Sequence, residues 1–380
     1  MKIAIVTETF LPSTDGVVTR LTQAIKHFRS KGHDVFVIAP DLGVYEYEGA
    51  EVVGIKPITL PFYRYRPFTL PSKKVKALLE EFQPDIVHAA NPILLAAAAV
   101  HYAKKLDYPL IATYHTHVPK YLDYYWMYKP AKPLLWHHIK RLHNAADLNL
   151  CTSKAIKSEL IEKEFHNLHV LQRGVDIHNR HPRYYNEQMR ERLTNGDTSK
   201  KLLVFIGRLA IEKEIHKIKP LLDARDDIAL AIIGDGPSRN DLENTFRGTN
   251  TTFTGFLHGD ELSQAYATAD AFIFPSVTET LGLVILEAMA SGLPVVAAKS
   301  GPTMEQVKDE KTGLLYENED VNSMMEAVNK LNNLDLIQQM KKNARIEAEK
   351  YAWEKASQQL LDYYYETIEI HKNTANMVAN

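Results

Sequence analysis

Glu279 and Glu287 stand eight residues apart in the stretch Pro275 to Pro294, which passes from a strand through a loop into a helix. Gly282, with Leu283 after it, opens that helix and exposes backbone N–H groups, and a helix start of this kind holds an anion. Two carboxylates beside it suit a sugar and a ribose, whose vicinal hydroxyls donate hydrogen bonds. As an isolated pair they read more simply as a helix-dipole carboxylate and a surface charge. A second stretch, Gly207-Arg208-Leu209-Ala210-Ile211-Glu212-Lys213, directly follows the strand Leu202 to Ile206. Arg208 as a bidentate fork and Lys213 as a point charge can bracket a diphosphate, although strand-end cations are usually merely solvated. Gly234-Asp235-Gly236-Pro237 is a turn after another strand. It falls short of the dinucleotide fingerprint, because Arg239 occupies the third glycine position, and this disfavours a dehydrogenase.

In the first half of the chain, Asp15-Gly16 precedes a helix, and Gly16 would let the backbone approach a phosphate. Tyr114-His115-Thr116-His117 follows the strand Leu110 to Tyr114. The His-x-His spacing permits metal ligation, but no carboxylate or cysteine stands beside it in sequence, so no metal site is expected. His115 reads instead as a strand-end histidine facing a ligand.

The elements that must position these groups repeat one rhythm. Ile3 to Val6, Val35 to Ala39, Ile86-Val87, Leu110 to Tyr114 and Leu148 to Cys151 are short runs apolar on both faces, alternating with helices such as Val17 to Ser30. The series restarts at Leu202 to Ile206, Ile228 to Ile233, Ala271 to Phe274 and Val295 to Ala297, with helices near Asp241 to Phe246 and Leu283 to Ser291. Such runs predict parallel sheets covered on both sides. The expected fold is α/β, with two doubly wound domains facing each other across a cleft. Residues 1–190 form the first domain and 191–352 the second, with the polar stretch His178 to Lys200 as linker. The terminal helix Trp353 to His371 reads equally as packing back on the first domain or as an ordinary amphipathic helix. Ligands of parallel sheets bind beyond the carboxyl ends of the strands, which is where the residues above fall.

Length and composition agree. The 380 residues suit two domains, and 45% apolar with 24% charged residues excludes disordered and collagen-like chains. The single cysteine, Cys151, makes no internal disulfide and no cysteine-built metal centre, and it suits a reducing compartment. The net charge of −2 conceals an asymmetry: residues 1–190 carry 25 Lys+Arg against 18 Asp+Glu (+7), and the remainder 20 against 29 (−9). No segment reads as a membrane span or a secretory signal, so a cytoplasmic protein is expected.

Gly207-Arg208-Leu209 with Glu212-Lys213, Gly234-Asp235-Gly236-Pro237, Glu279/Glu287 with Glu-Ala-Met-Ala-Ser-Gly-Leu-Pro, and Arg173-Gly174-Val175-Asp176 stand in an order that resembles the retaining glycosyltransferases of family 4. The resemblance covers nearly the whole chain. Thr113 to Pro119 and Arg173 to Asp176 are most similar to members that glycosylate membrane lipids, such as sulfoquinovosyl- and glucosyl-diacylglycerol synthases and phosphatidylinositol mannosyltransferases. The resemblance implies a GT-B fold and a nucleotide-sugar co-substrate, UDP-linked by likeness, with no cofactor and no metal. By motif position it assigns Arg208 and Lys213 to the diphosphate, Glu287 to the ribose, Glu279 to the donor sugar, and the N–H groups at Gly282 and Leu283 to phosphate and sugar. Gly16 would meet the diphosphate from the first domain and His115 the donor sugar. It further implies front-face attack, with the leaving phosphate taking the acceptor proton. Three positions depart from the pattern: Leu281 where Phe is commonest, Glu214-Ile215 where Gly is frequent, and Pro302 in place of a second glycine after Gly301.

On the acceptor side, Pro61 to Phe68 with Lys73, Lys74 and Lys76 interleaves aromatics and cations. Lys120 to His143 does so again, through Tyr124, Tyr125, Trp126, Tyr128, Lys129, Lys132, Trp136, Lys140 and Arg141. Such stretches suit an anionic membrane surface and a lipid acceptor, or else a solvated helical face. Nucleic acid is not expected, because no recognition module accompanies them. A soluble or polysaccharide acceptor, and a sugar-nucleotide epimerase on the same fold, are the alternatives.

Overall fold

The computed structural model describes the backbone of residues 1–60 and 63–379 and the side chains of 1–58 and 68–377. The chain divides into two compact units, residues 1–174 with 353–380, and residues 175–352.

Unit 1 contains strands β1 (Lys2–Thr7), β2 (Asp34–Pro40), β3 (Glu46–Tyr47), β4 (Ala50–Ile55), β5 (Ile58–Leu60), β6 (Tyr63–Phe68), β7 (Ile86–Ala90), β8 (Leu110–Tyr114), β9 (Leu148–Cys151) and β10 (Leu168–Val170). Eight of them form one sheet in the order β10-β9-β8-β7-β1-β2-β4-β3, parallel except for the β3–β4 pair, while β5 and β6 make a separate hairpin. Unit 2 contains β11 (Lys201–Ile206), β12 (Ile228–Ile233), β13 (Thr251–Gly255), β14 (Ala271–Phe274), β15 (Val295–Ala298) and β16 (Gly313–Tyr316), all parallel in the order β13-β12-β11-β14-β15-β16. Both orders reverse beside the first strand, at β1/β7 and at β11/β14.

Side-chain alternation explains the layering. In β1, Ile3 and Ile5 enter one apolar cluster and Ala4 and Val6 another; in β11, Leu202 and Val204 go to one face and Leu203 and Phe205 to the other. Each sheet is therefore buried on both faces and must be covered by helices. They include α1 (Gly16–Ser30), α2 (Leu95–Lys105), α3 (Lys132–Asn144), α4 (Leu283–Ala290), α5 (Leu334–Ala348) and α6 (Trp353–Ala379). Leu360, Leu361 and Tyr364 of α6 join Leu21, Ile25 and Phe28 of α1 in one cluster of unit 1.

The stretch from His178 to Lys200 is not a linker. It holds a helix, Glu187–Leu193, whose Met189 and Leu193 are buried in unit 2's core, and Val175 lies in the same cluster. The division falls between Gly174 and Val175 rather than at residue 190. At that point a Cβ on Gly174 would lie 2.0 Å from the ring of Trp353, and Val175 N–H donates to Tyr351 C=O at 2.8 Å. Counted by these units, the charge contrast is smaller: 24 Lys+Arg against 20 Asp+Glu in unit 1 (+4), and 21 against 27 in unit 2 (−6).

Candidate functional site

In unit 2, two loops leave the sheet side by side where the strand order reverses, and an open parallel sheet binds ligands at such a crevice. The first follows β11 and carries Arg208 and Lys213; the second follows β14 and carries Glu279 before α4. The hydroxyls of Ser276 and Thr278 both donate to the carbonyl of Glu212, at 3.3 and 3.0 Å, and so tie the second loop to the first. Gly234 and Gly236 fix the first loop from the other side. A Cβ at these positions would lie 2.0 and 2.1 Å from the carbonyl oxygens of Gly207 and Leu209 respectively. Leu209 N–H donates to Asp235 C=O and Ser238 N–H to Leu209 C=O.

Arg208 is ion-paired with the buried Glu212, and Lys213 with Glu279. The cluster is thus charge-balanced without a ligand, and an anion entering it must exchange with a carboxylate. Gly282 adopts φ 78°, a left-handed conformation that favours glycine, and turns the chain into α4. The N-cap residue Gly282 has no side chain to offer the first N–H groups of α4, and a helix start of this kind suits an anion. Glu287 lies one turn into α4, where its carboxylate accepts from Tyr266 Oη at 2.9 Å and faces Arg180 Nε at 3.7 Å.

Two of the three departures have a physical explanation, and nothing in the structure explains Leu281. Glu214 has φ 54°, which is why glycine suits the position; its carboxylate pairs with Lys217 at 2.8 Å. Pro302 lies in the first turn of the helix Gly301–Gln306, where its missing N–H has no intrahelical partner to lose. Leu281 is buried, and its carbonyl accepts from the Gln306 amide.

In unit 1, Gly16 is the first residue of α1, whose N–H groups at Val17 and Val18 are capped by Asp15. His115 is buried at the end of β8, and its backbone N–H donates to Asn91 Oδ1 at 3.1 Å. Burial, reinforced by the Arg20 cation, holds its pKa well below the usual imidazole range, so the ring is neutral. His117 points elsewhere: Nδ1 meets Tyr114 Oη at 3.1 Å and Nε2 meets Glu159 Oε1 at 3.0 Å. A carboxylate does stand beside the His-x-His pair, supplied by the helix Lys154–Glu162, a proximity that sequence spacing does not reveal.

Sequence reasoning missed Glu8. It lies just beyond β1, and its carboxylate accepts from the N–H groups of Ile93, Leu94, Leu95 and Ala96 at 2.7–3.0 Å. A lone acid after a β-rich run is the only signal the sequence offers for it. The acceptor-side stretch divides in two. Trp136 packs against Tyr114, His117 and Phe165, while Lys132 and Lys140 are ion-paired with Asp123 and Glu164. Trp126, Met127 and Leu134 are 83%, 63% and 72% exposed. The side chains of Phe62, Tyr63, Arg64, Tyr65 and Arg66 lie outside the described residues. No described helix is long and apolar enough to cross a membrane.

Residues 187–347 match the family described as glycosyl transferases group 1, and residues 14–179 match Glycosyltransferase Family 4. The chain is similar to a sulfoquinovosyl transferase of Arabidopsis thaliana, 39% identical over 92% of this chain and 70% of that one. It is similar to a GDP-mannose-dependent alpha-mannosyltransferase of Corynebacterium glutamicum, 34% identical over 83% and 77%. An alpha-monoglucosyldiacylglycerol synthase of Streptococcus pneumoniae is 28% identical over 83% and 75%. Among solved structures, the Anabaena protein HepE in complex with UDP-glucose shares the fold with a TM-score of 0.77, at 19% identity over 96% and 100% of the chains.

Proposed function

The chain belongs to the glycosyltransferases of group 1 and family 4, and on that premise we propose that it transfers a hexosyl group, with retention, from a UDP-linked sugar to a membrane lipid such as diacylglycerol or a glycolipid. The observation that carries this reading is the placement of Arg208 and Lys213 on the loop tied to the one that leads through Gly282 into α4, where unit 2 reverses its strand order. When the bond from the sugar C1 to the β-phosphate oxygen breaks, negative charge develops on the diphosphate. Arg208, Lys213 and the N–H groups at Gly282 and Leu283 stabilise that charge as it forms, which lowers the barrier. The acceptor hydroxyl oxygen bonds to C1 on the face the phosphate leaves, and its proton passes to the departing phosphate. Nothing in this scheme calls for a metal.

Binding of the diphosphate draws Lys213 away from Glu279, and the freed carboxylate accepts from the sugar hydroxyls. Glu287 accepts from the ribose. In unit 1, Gly16 serves as a phosphate contact and the neutral His115 as a hydrogen-bonding group for the sugar. The lipid acceptor is supported by the diacylglycerol named for the Streptococcus relative and by the exposure of Trp126, Met127 and Leu134, which suits the headgroup layer of the cytoplasmic membrane face.

The test is a matrix of UDP-, GDP- and ADP-sugars against lipid extracts and soluble acceptors, with products identified by mass and their anomeric configuration by NMR. A glycolipid of retained configuration is expected. Product on soluble acceptors alone, or an isomerised nucleotide sugar without acceptor, would overturn it. Sedimentation with anionic vesicles should fall as salt rises; equal, negligible binding to anionic and neutral vesicles removes the membrane part.

A further inference from the structure

Glu287 is held rather than loose. Its Oε2 accepts from the Tyr266 hydroxyl at 2.9 Å, and Arg180 Nε lies 3.7 Å from the same oxygen. Tyr266 is fully buried, and burial together with the charge of Glu287 pushes its pKa well above the usual phenol value, so it keeps its proton and acts as a donor. The Arg180 guanidinium lies 5.5 Å from the Tyr266 ring centroid, and Nη1 donates to Ser263 Oγ at 2.9 Å. Ser263 and Tyr266 are three residues apart on the helix Gly259–Thr268 and share a face, so one surface anchors both partners of Glu287. The buried Nε makes no hydrogen bond, and its contribution to Glu287 is charge.

These contacts all converge on Oε2. Oε1 has no hydrogen-bond partner among the described residues, and the side chain is 22% exposed. The terminal torsion of a glutamate is broad, so an unheld carboxylate would spread both oxygens over many directions. Holding one oxygen aims the other, and a preorganised acceptor avoids the ordering cost when a ligand binds.

We propose that Tyr266 and Arg180 are positioning residues that set selectivity for the sugar ring of the nucleotide: by fixing Oε2 of Glu287 they present Oε1 to the 2′- and 3′-hydroxyls. This rests on the ribose reading of Glu287. Neither residue touches the reacting atoms, so their effect appears in which nucleotides bind rather than in the chemical step.

The experiment is calorimetric titration with UDP and GDP and with their 2′,3′-dideoxy counterparts. The wild-type protein should prefer the ribonucleotide by about tenfold or more, the size expected of hydrogen bonds to a charged acceptor. Tyr266→Phe, which keeps the buried ring, should weaken the ribonucleotide about fivefold and leave the dideoxy nucleotide unchanged, collapsing the ratio. Arg180→Gln should act in the same direction and serves if Tyr266→Phe lowers the thermal midpoint. A ratio equal to wild type in both variants, or an equal loss for both ligands, overturns the proposal. A wild-type protein indifferent to the hydroxyls instead removes the ribose reading of Glu287.

Discussion

In both units the strand order reverses beside the first strand, and in both a helix begins there, yet the two helix starts are filled differently. In unit 1 the first N–H groups of α2 are taken by Glu8, a carboxylate of the chain itself. In unit 2 the N-cap of α4 is Gly282, which brings no side chain to the helix start, and the nearby cations Arg208 and Lys213 have carboxylate partners that a diphosphate can replace. One topology thus gives two crevices of opposite disposition: one already satisfied by an internal anion, the other open to an external one. A doubly wound sheet supplies the anion position, and a single acid decides whether a ligand can use it.

The largest test of this contrast is acid. The buried histidines His88, His115, His117 and His143 all lie in unit 1. Burial lowers His88 to about 3 and His143 to about 4, and holds His115 well below the usual range. Each binds a proton more weakly folded than unfolded. Stability therefore falls as pH drops below about 6.5, by about 3 kcal/mol between pH 6.5 and 5.5 for the three groups, and the loss continues until they protonate in the folded state. Glu8, raised chiefly by burial against the opposing pull of its N–H donors, works in the opposite sense near its own range and offsets part of the loss. Trp126, Trp136 and Trp353 are the only tryptophans and all belong to unit 1, so urea unfolding followed by tryptophan fluorescence reads that unit. A midpoint unchanged between pH 7 and 5 would mean that burial does not hold these histidines of unit 1 neutral.

Next come Arg208→Ala and Lys213→Ala. Each should lower turnover about a hundredfold, the usual cost of removing one group that stabilises developing charge, and Arg208→Ala should also lower the thermal midpoint because it leaves the buried Glu212 without its cation. Wild-type turnover in either variant refutes their assignment. Glu8→Ala leaves four N–H groups at a buried helix start without an acceptor and should cost unit 1 about 2–3 kcal/mol in the fluorescence assay, with nucleotide affinity unchanged. Reduced UDP affinity at full stability would mean that the two crevices are not distinguished as described. The smallest effect is Gly282→Ala. A Cβ there meets only ordinary contacts, with Ile285 at 3.4 Å and Phe274 at 3.5 Å, so the cost is the left-handed backbone, about 1–2 kcal/mol, read as a lower thermal midpoint and weaker UDP binding.

The sheet cores were legible because their strands are apolar on both faces: Leu110 to Tyr114, Ile228 to Ile233 and Ala271 to Phe274 appear with the expected bounds. The edge strands were not. Thr251–Gly255 is half-buried along its length and carries three threonines, so it lacks the apolar run that marks its neighbours. The stretch His178 to Lys200 was misread for a related reason: its polar surface hid two buried anchors, Met189 and Leu193, in a helix of seven residues. The motif residues of unit 2 could be named because strand ends and turn glycines punctuate the sequence there. Their partners could not. Glu8 with the start of α2, Tyr266 and Arg180 with Glu287, and Glu159 with His117 are pairs 21 to 107 residues apart, joined only by the folded chain.

The crowding of Gly174 against Trp353 has an architectural consequence. The chain leaves unit 1 and re-enters it at touching residues, and unit 2 begins and ends at Val175 and Ala352, which pair as a β-bridge. Unit 2 is therefore an insert whose two termini already meet, a closed cassette carried within a continuous host. Splicing across that junction should leave the host's chain path undisturbed. A short tether between residues 352 and 175 would likewise circularise the cassette for little entropy, since the ends it joins are held together by the fold.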